Sequence, residues 1–136
     1  IPDRSEAPVD DRTLARALAR FYDIGVLPDW WKLPDPGSDA AWRAIAEVLE
    51  ERDPWCRGVL LLGLDAPEEA LAASFARAAK HSVCRGFAVG RTIFGNAAEG
   101  WFRGELDDAG AVADMAERYR RLIALWERVQ GTGGGD

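Results

Sequence analysis

Lysine and histidine are scarce in this sequence, and their scarcity gives weight to the few that occur. Of the seventeen basic residues in the 136-residue chain, only Lys32 and Lys80 are lysines, and His81 is the one histidine. Because a guanidinium group is not deprotonated in a protein, a lysine retained in an arginine-rich chain hints that a primary amine is needed there. Two lysines can also survive by chance. We expect His81, which precedes a predicted strand, to be structural.

The sequence also lacks the patterns of several common classes of site. Cys56 and Cys84 have neither CxxC spacing nor histidine partners, so we expect free thiols, no metal site and a reducing cytoplasm. No Walker loop, GxGxxG or GxSxG motif is present. A net charge of -6 and a pI near 4.8 argue against nucleic-acid binding. The longest apolar run, residues 58–64, falls far short of the roughly 20 residues of a membrane helix, so no membrane partner is expected.

Helical and strand-like patterns alternate along the chain. Helices are predicted over residues 12–22, 39–51, 66–80, 96–102 and 108–130, and strands over residues 26–33, 58–64 and 85–89. We expect Asp65 to cap the third helix, and Val112, Met115, Tyr119, Leu122, Ile123 and Trp126 of the last helix to face inward. Residues 1–130 then form one domain, and residues 131–136 a flexible tail.

The spacing of the strands predicts a parallel α/β fold. Successive strands start about 30 residues apart, which is the length of a βα unit. Right-handed crossovers leave an open doubly wound sheet or part of a (β/α)8 barrel. Three strands are too few for either, because bare edges or an exposed core would remain. We therefore predict the C-terminal part of a barrel, or a piece that must associate.

Lys32 is the first candidate for chemistry. It lies at the end of the apolar run that starts at Val26, and catalytic groups of parallel α/β folds lie at the C-terminal ends of strands. Its amine could act as a Schiff-base nucleophile. Alternatively, Lys32 extends its amine to water or pairs with Asp29 or Asp35. Trp30 should share the face of Lys32 and could wall the amine from water, although tryptophan is more often core.

Gly90 and Arg91 form the second candidate, a phosphate site. A glycine at a strand end lets backbone amides approach an anion, arginine is a bidentate donor, and a helix N-terminus follows. Phosphate sites after the last two strands are frequent in barrels. Gly63, at the end of the preceding strand, could supply a second amide contact, whereas Asp65 suits a cap better than a catalyst.

Four segments of the chain resemble a known family. They are Phe21-Tyr22-Asp23 with Gly25, Pro28-Asp29-Trp30-Trp31-Lys32-Leu33, Arg57-Gly58-Val59-Leu60-Leu61-Leu62-Gly63-Leu64-Asp65-Ala66-Pro67, and Gly86-Phe87-Ala88-Val89-Gly90-Arg91-Thr92-Ile93-Phe94. Together they are similar to the aldolase-like domain of bacterial inositol catabolism, which occurs alone or fused behind the sugar kinase 5-dehydro-2-deoxygluconokinase. More distantly, they resemble the class I tagatose-bisphosphate aldolases.

The resemblance implies a function and its residues. Lys32 matches the imine-forming lysine on the sixth barrel strand, and Gly90 with Arg91 matches the phosphate pair on the eighth. The implied reaction cleaves 6-phospho-5-dehydro-2-deoxygluconate to dihydroxyacetone phosphate and malonate semialdehyde, without a metal or cofactor. The chain departs from those aldolases after strand seven, where Gly63-Leu64-Asp65 replaces serine and glycine. Strands one to five would precede Ile1, so we expect residues 1–136 alone to be inactive.

Two other interpretations remain open. The domain could be a non-catalytic phosphosugar-binding or interaction domain that serves a fused kinase, since Gly90 and Arg91 could bind phosphate whether or not Lys32 reacts. The exposed core could also make two copies dimerise into one closed unit. The expected partners are therefore a phosphorylated sugar acid and a kinase domain or the missing half-barrel, with a second copy as the partner in the dimer interpretation.

Overall fold

Five helices and three strands alternate in the structure, a computed structural model that describes residues 9–63 and 66–132. In chain order they are α1 (Thr13–Asp23), β1 (Trp31–Leu33), α2 (Asp39–Arg52), β2 (Val59–Leu62), α3 (Glu68–Ala78), β3 (Cys84–Ala88), α4 (Arg91–Phe102) and α5 (Asp108–Thr132). The predicted cap Asp65 and most of the predicted tail lie outside the described residues. The helix α5 continues through Thr132, whereas the sequence predicts a helix to residue 130.

The three strands form one parallel sheet in the order β1-β2-β3, which confirms the predicted parallel α/β class. Lys32 is the register partner of Leu60, and Leu60 that of Gly86. The register shifts between Val59 and Leu60, where β3 carries one extra residue, Arg85. Such a bulge increases the local twist and re-aims the side chains that follow it.

The described residues divide into two compact units. The first comprises the described parts of Ile1–Asp29 and Pro36–Cys56, and the second those of Trp30–Asp35 and Arg57–Asp136. In the first unit α1 contacts α2. Their buried residues are Ala15, Leu18, Tyr22, Ala41, Trp42, Ala44, Ile45 and Leu49. Ser38 caps α2 by accepting a hydrogen bond from the amide of Ala41 at 3.1 Å, which satisfies a helix-terminal donor.

The turn that ends α1 depends on one glycine. Gly25 has φ +84°, and the amides of Gly25 and Val26 donate to the carbonyls of Tyr22 and Phe21. This is a Schellman-type end, which places a left-handed residue just after the helix.

In the second unit, an aromatic cluster packs helices against the sheet. The ring of Phe75 in α3 lies 4.9 Å from Phe87 in β3 and 5.3 Å from Trp126 in α5. Phe75 is fully buried. Burying three large rings contributes several kcal/mol of hydrophobic stabilisation, at about 25 cal/mol per Å² of apolar surface. The cluster therefore joins α3, α5 and β3 on one face of the sheet.

Three predicted boundaries are wrong. The first strand is three residues long rather than eight, because Pro28 cannot donate to a sheet ladder and the chain joins β2 only at Trp31. The helix α3 starts at Glu68 with Pro67 as its N-cap, not after Asp65. The helix α4 starts at Arg91 rather than Asn96, because the amides of Ile93 and Phe94 already bond the Gly90 carbonyl.

Two of the residues predicted to face inward from α5 are instead exposed. Val112 is 61% exposed and Tyr119 is 49% exposed, whereas Ala111, Leu122 and Trp126 are buried. Leu122 and Trp126 are therefore buried as predicted, whereas the buried Ala111 is not in the predicted set. Met115 and Ile123 are half-buried.

Gly58, just before β2, tolerates no side chain. Its φ is +125°, and a Cβ there would lie 2.6 Å from the carbonyl oxygen of Val83. We expect Gly58→Ala to lower the free energy of unfolding by about 2–4 kcal/mol, since backbone strain and a clash with a backbone atom add. Chemical denaturation measures this loss.

Gly37 is a matched control for Gly58. It also has positive φ, +88°, but a Cβ there would meet nothing within 4 Å. Gly37→Ala should cost about 1 kcal/mol from strain alone. Equal losses in the two variants would show that the clash at Gly58 does not exist.

None of the helices among the described residues is long and apolar enough to cross a membrane. Within the same residues, no group of three or more histidine, cysteine, aspartate or glutamate side chains could hold a metal ion.

Candidate functional site

Lys32 occupies the middle of β1, on the more open face of the sheet. Its side chain is exposed, whereas its register partner Leu60, and Gly86, the register partner of Leu60, are half-buried. On the opposite face of β1, Leu33 is buried. Trp30 lies just before the strand and is 40% exposed. The strand thus presents the lysine amine to solvent, next to an apolar row and one residue before its C-terminal end.

The predicted pairing of Lys32 with Asp35 is not found. Asp35 instead accepts a hydrogen bond from the guanidinium of Arg77 at 2.5 Å, and both side chains are partly buried. Within the described part of this unit, no carboxylate forms an ion pair with Lys32. The segment that follows β1 is therefore anchored through Asp35 to α3.

The predicted phosphate-binding residues lie where β2 and β3 end. Gly90 is the N-cap of α4, and Arg91 is the first residue of that helix. Gly63 is buried, and a Cβ there would come within 2.9 Å of the Val89 side chain. The Gly63 carbonyl accepts a hydrogen bond from the amide of Ala66 at 2.9 Å. Gly63 therefore allows the ends of β2 and β3 to approach closely.

Lys32 and the Gly90-Arg91 pair flank the middle strand. Since adjacent strands lie about 4.8 Å apart, the axes of β1 and β3 are separated by about 10 Å. In a parallel sheet all C-terminal strand ends meet at one edge. The amine and the arginine consequently lie at the same edge of the sheet, with Gly63 between them.

A cavity of about 430 Å³ adjoins Arg91 on the helical side. Its described lining comes from the segment before α3, the first turns of α4 and the middle of α5. The residues are Ala66, Pro67, Glu68, Arg91, Thr92, Phe94, Gly95, Asn96, Glu99, Arg118 and Leu122. The hydroxyl of Thr92 donates to the carbonyl of Ala66 at 3.2 Å and ties α4 to the β2–α3 segment. Lys32 and Gly63 are not among the described lining residues.

Arg118 is the member of this site that the sequence analysis missed. It lies in α5 four residues before the buried Leu122 and seven after the buried Ala111. Residues at these spacings share one face of a helix, so an arginine here interrupts an otherwise buried stripe. This interruption is the feature of the sequence from which Arg118 could have been identified.

Cys84 is a buried thiol rather than a second nucleophile. Burial is the main cause that raises the pKa of the Cys84 thiol from 9.0 to about 11. Because the thiolate is the reactive form, we expect an alkylating reagent at about pH 8 to modify the half-buried Cys56 and to leave Cys84 unmodified until the protein unfolds. Peptide mass mapping measures this order, and modification of Cys84 first in the folded protein would contradict it.

The fold and the site define a parallel α/β domain with an exposed strand lysine and an arginine-lined cavity. The chain belongs to the family described as "Uncharacterized protein conserved in bacteria (DUF2090)", whose model matches residues 1–130. Comparison with curated proteins and with solved structures found no match.

Proposed function

We propose that this domain is part of a class I aldolase that acts on a ketose phosphate of bacterial inositol catabolism. The substrate we propose is 6-phospho-5-dehydro-2-deoxygluconate, cleaved to dihydroxyacetone phosphate and malonate semialdehyde. One observation carries the proposal: an exposed lysine amine and a Gly-Arg helix start lie at the same edge of a parallel sheet. This edge is where enzymes of the parallel α/β classes hold their substrates.

In the proposed reaction, Lys32 supplies the electrophilic sink. Its neutral amine attacks the substrate ketone, water leaves, and a protonated imine forms. A base removes the proton of the hydroxyl two carbons away, the carbon–carbon bond breaks, and its electron pair moves into the iminium. Arg91 and the N-terminus of α4 hold the phosphate, which fixes the ketone relative to the amine. The base would come from barrel strands outside residues 1–136.

We further propose that β1, β2 and β3 are strands six to eight of a (β/α)8 barrel. In the described sheet, β1 and β3 each pair only with β2, so each has an outer edge without a neighbouring strand. Parallel sheets are normally covered on both faces, and bare edges invite pairing. The half-buried row of Leu60, Leu62 and Ala88 beside Lys32 suits the inner layer of such a barrel. A cytoplasmic location belongs to the same proposal.

A non-catalytic phosphosugar-binding domain that accompanies a sugar kinase is the second candidate. The exposure of Lys32 favours it, because an amine open to water lacks the dry surroundings that most covalent sites provide. Binding through Arg91 would need no reaction at Lys32.

Calorimetry and a retro-aldol assay on the intact protein separate the two candidates. The aldolase proposal predicts that 6-phospho-5-dehydro-2-deoxygluconate both binds and is cleaved, with triose phosphate detected by a coupled enzyme. Binding without cleavage would support the binding domain and overturn the aldolase. The control is the same sugar acid without its phosphate, which should bind at least about tenfold more weakly.

A further inference from the structure

The guanidinium of Arg118 is held in place at the wall of the cavity. Its Nε donates to Oδ2 of Asp114 one turn earlier, at 2.7 Å, and only 27% of the Arg118 side chain is exposed. No described residue accepts a hydrogen bond from its two terminal nitrogens. A planar guanidinium that is fixed through Nε presents these nitrogens as a pre-oriented fork, the geometry that matches phosphate oxygens.

The carboxylates of the cavity wall do not neutralise Arg118. Glu68 lies 4.0 Å from Arg121, and Glu99 lies 3.4 Å from Arg103. Both partner arginines are outside the described lining, so each glutamate has a cation of its own. Arg118 is therefore not paired with either glutamate of the described lining.

Backbone dipoles at the cavity favour an anion at the start of α4. The helices α3 and α4 both begin at the cavity, and each helix N-terminus carries about half a positive charge, which the acidic residues Glu68 and Glu69 offset in the first turn of α3. The side chain of Asn96 adds a neutral amide to the wall. A volume of about 430 Å³ is within the range of small-molecule sites. The site therefore favours a small, doubly charged anion that can accept several hydrogen bonds.

We propose that this cavity binds a phosphate monoester. The two terminal nitrogens of Arg118 donate hydrogen bonds to two phosphate oxygens, and Arg91 contacts the phosphate from the opposite side. The inference rests on the proposed function in taking phosphate as the ligand and Arg91 as a contact. It adds Arg118 as a second phosphate-binding residue and the space between α3, α4 and α5 as the place where the phosphate lies.

The test compares variants of two arginines that lie two residues apart in α5. Arg118→Gln removes the fork but keeps a polar side chain, whereas Arg120→Gln removes an exposed arginine that is 3.9 Å from Glu117 and outside the described cavity lining. Inorganic phosphate is titrated into each intact protein. The Kd is obtained from the NMR chemical-shift changes of the backbone amides of residues 91–96. We expect Arg118→Gln to raise the Kd at least about tenfold and Arg120→Gln to change it less than about twofold.

A second variant keeps the test valid if Arg118→Gln folds poorly. Arg118→Lys retains the charge and loses the fork, so its Kd should also rise, by about three- to tenfold. Near-ultraviolet circular dichroism checks the fold of every variant. An unchanged Kd in a folded Arg118→Gln or Arg118→Lys, or no binding of phosphate by the unaltered protein, would overturn the inference.

The failure of this inference can be told apart from failure of the aldolase proposal. Lys32→Met does not touch the cavity and should bind inorganic phosphate with the Kd of the unaltered protein. If Arg118 governs the phosphate Kd but Lys32 forms no imine, the phosphate site stands and the aldolase falls. If Lys32 forms the imine and the Arg118 variants bind phosphate with the Kd of the unaltered protein, the aldolase proposal stands and the phosphate site at Arg118 falls.

Discussion

Lys32→Met is expected to reduce retro-aldol turnover by the intact protein at least about 10⁴-fold, with a much smaller change in substrate binding. The amine is the group that becomes covalently bonded to the ketone, and no other side chain in its row of the sheet can replace it, since its register partner is Leu60 and that of Leu60 is Gly86. Removal of a catalytic nucleophile commonly costs this much or more in kcat. Methionine keeps the length and apolar stem of lysine, so the strand should stay intact.

Lys80→Met is the matched control, because Lys80 is the other lysine of the chain. It is exposed in the turn that follows α3, before β3 begins, and thus precedes the strand instead of lying near its C-terminal end. Its turnover should stay within about twofold of the unaltered protein. Full activity in Lys32→Met, or an equal loss in both variants, would contradict the assignment of Lys32 as the nucleophile.

Phe75→Ala is expected to lower the free energy of unfolding by about 3–5 kcal/mol. The Phe75 ring is fully buried between Phe87 and Trp126, so its removal leaves a cavity where α3, α5 and β3 meet. Typical domains are stable by only about 5–15 kcal/mol, so this one change should remove a large share of the total. Denaturant unfolding followed by tryptophan fluorescence measures the loss.

Phe102→Ala tests whether burial causes that loss. Phe102 is 80% exposed and makes an edge-to-face contact with Trp101 at 5.1 Å. It should cost less than about 1 kcal/mol, because an exposed ring gains little on folding. A similar loss in both variants would mean that the buried cluster does not hold the second unit together.

The parallel α/β class was predictable because two periodicities alternate in this chain. The strand β2 reads as an apolar run on both faces, as buried parallel strands do, and apolar stripes of helical spacing precede and follow it. Ser38 and Gly25 mark helix ends by local chemistry that operates in any fold. These features depend on near neighbours in the sequence, which is why they could be predicted.

The start of α4 and the buried stripe of α5 depend on tertiary contacts. Thr92, Ile93 and Gly95 are poor helix formers, and the bond from Thr92 to the Ala66 carbonyl helps hold them in a helix. In α5 apolar residues occur on several sides, so the sequence alone does not show that Leu122 is buried while Val112 is exposed. Only the positions of α3 and α4 decide which stripe is buried.

The residues of the candidate site also fall into those that the sequence indicates and one that depends on tertiary contacts. Lys32, Gly63, Gly90 and Arg91 were identifiable because they stand at the ends of strands, which the sequence indicates. Arg118 comes from a helix 27 residues after Arg91, and its role depends on a cavity that forms only when three helices pack. Its pairing with Asp114 looks like an ordinary surface ion pair in the sequence.

Borohydride trapping tests the central claim most directly. The intact protein is incubated with dihydroxyacetone phosphate, reduced with borohydride, and digested for mass mapping of the peptides that contain Lys32 and Lys80. We predict a stable adduct on Lys32, none on Lys80, and no adduct in Lys32→Met, because reduction fixes an imine at the amine that formed it. An unmodified Lys32 under conditions in which the protein cleaves its substrate would contradict the account.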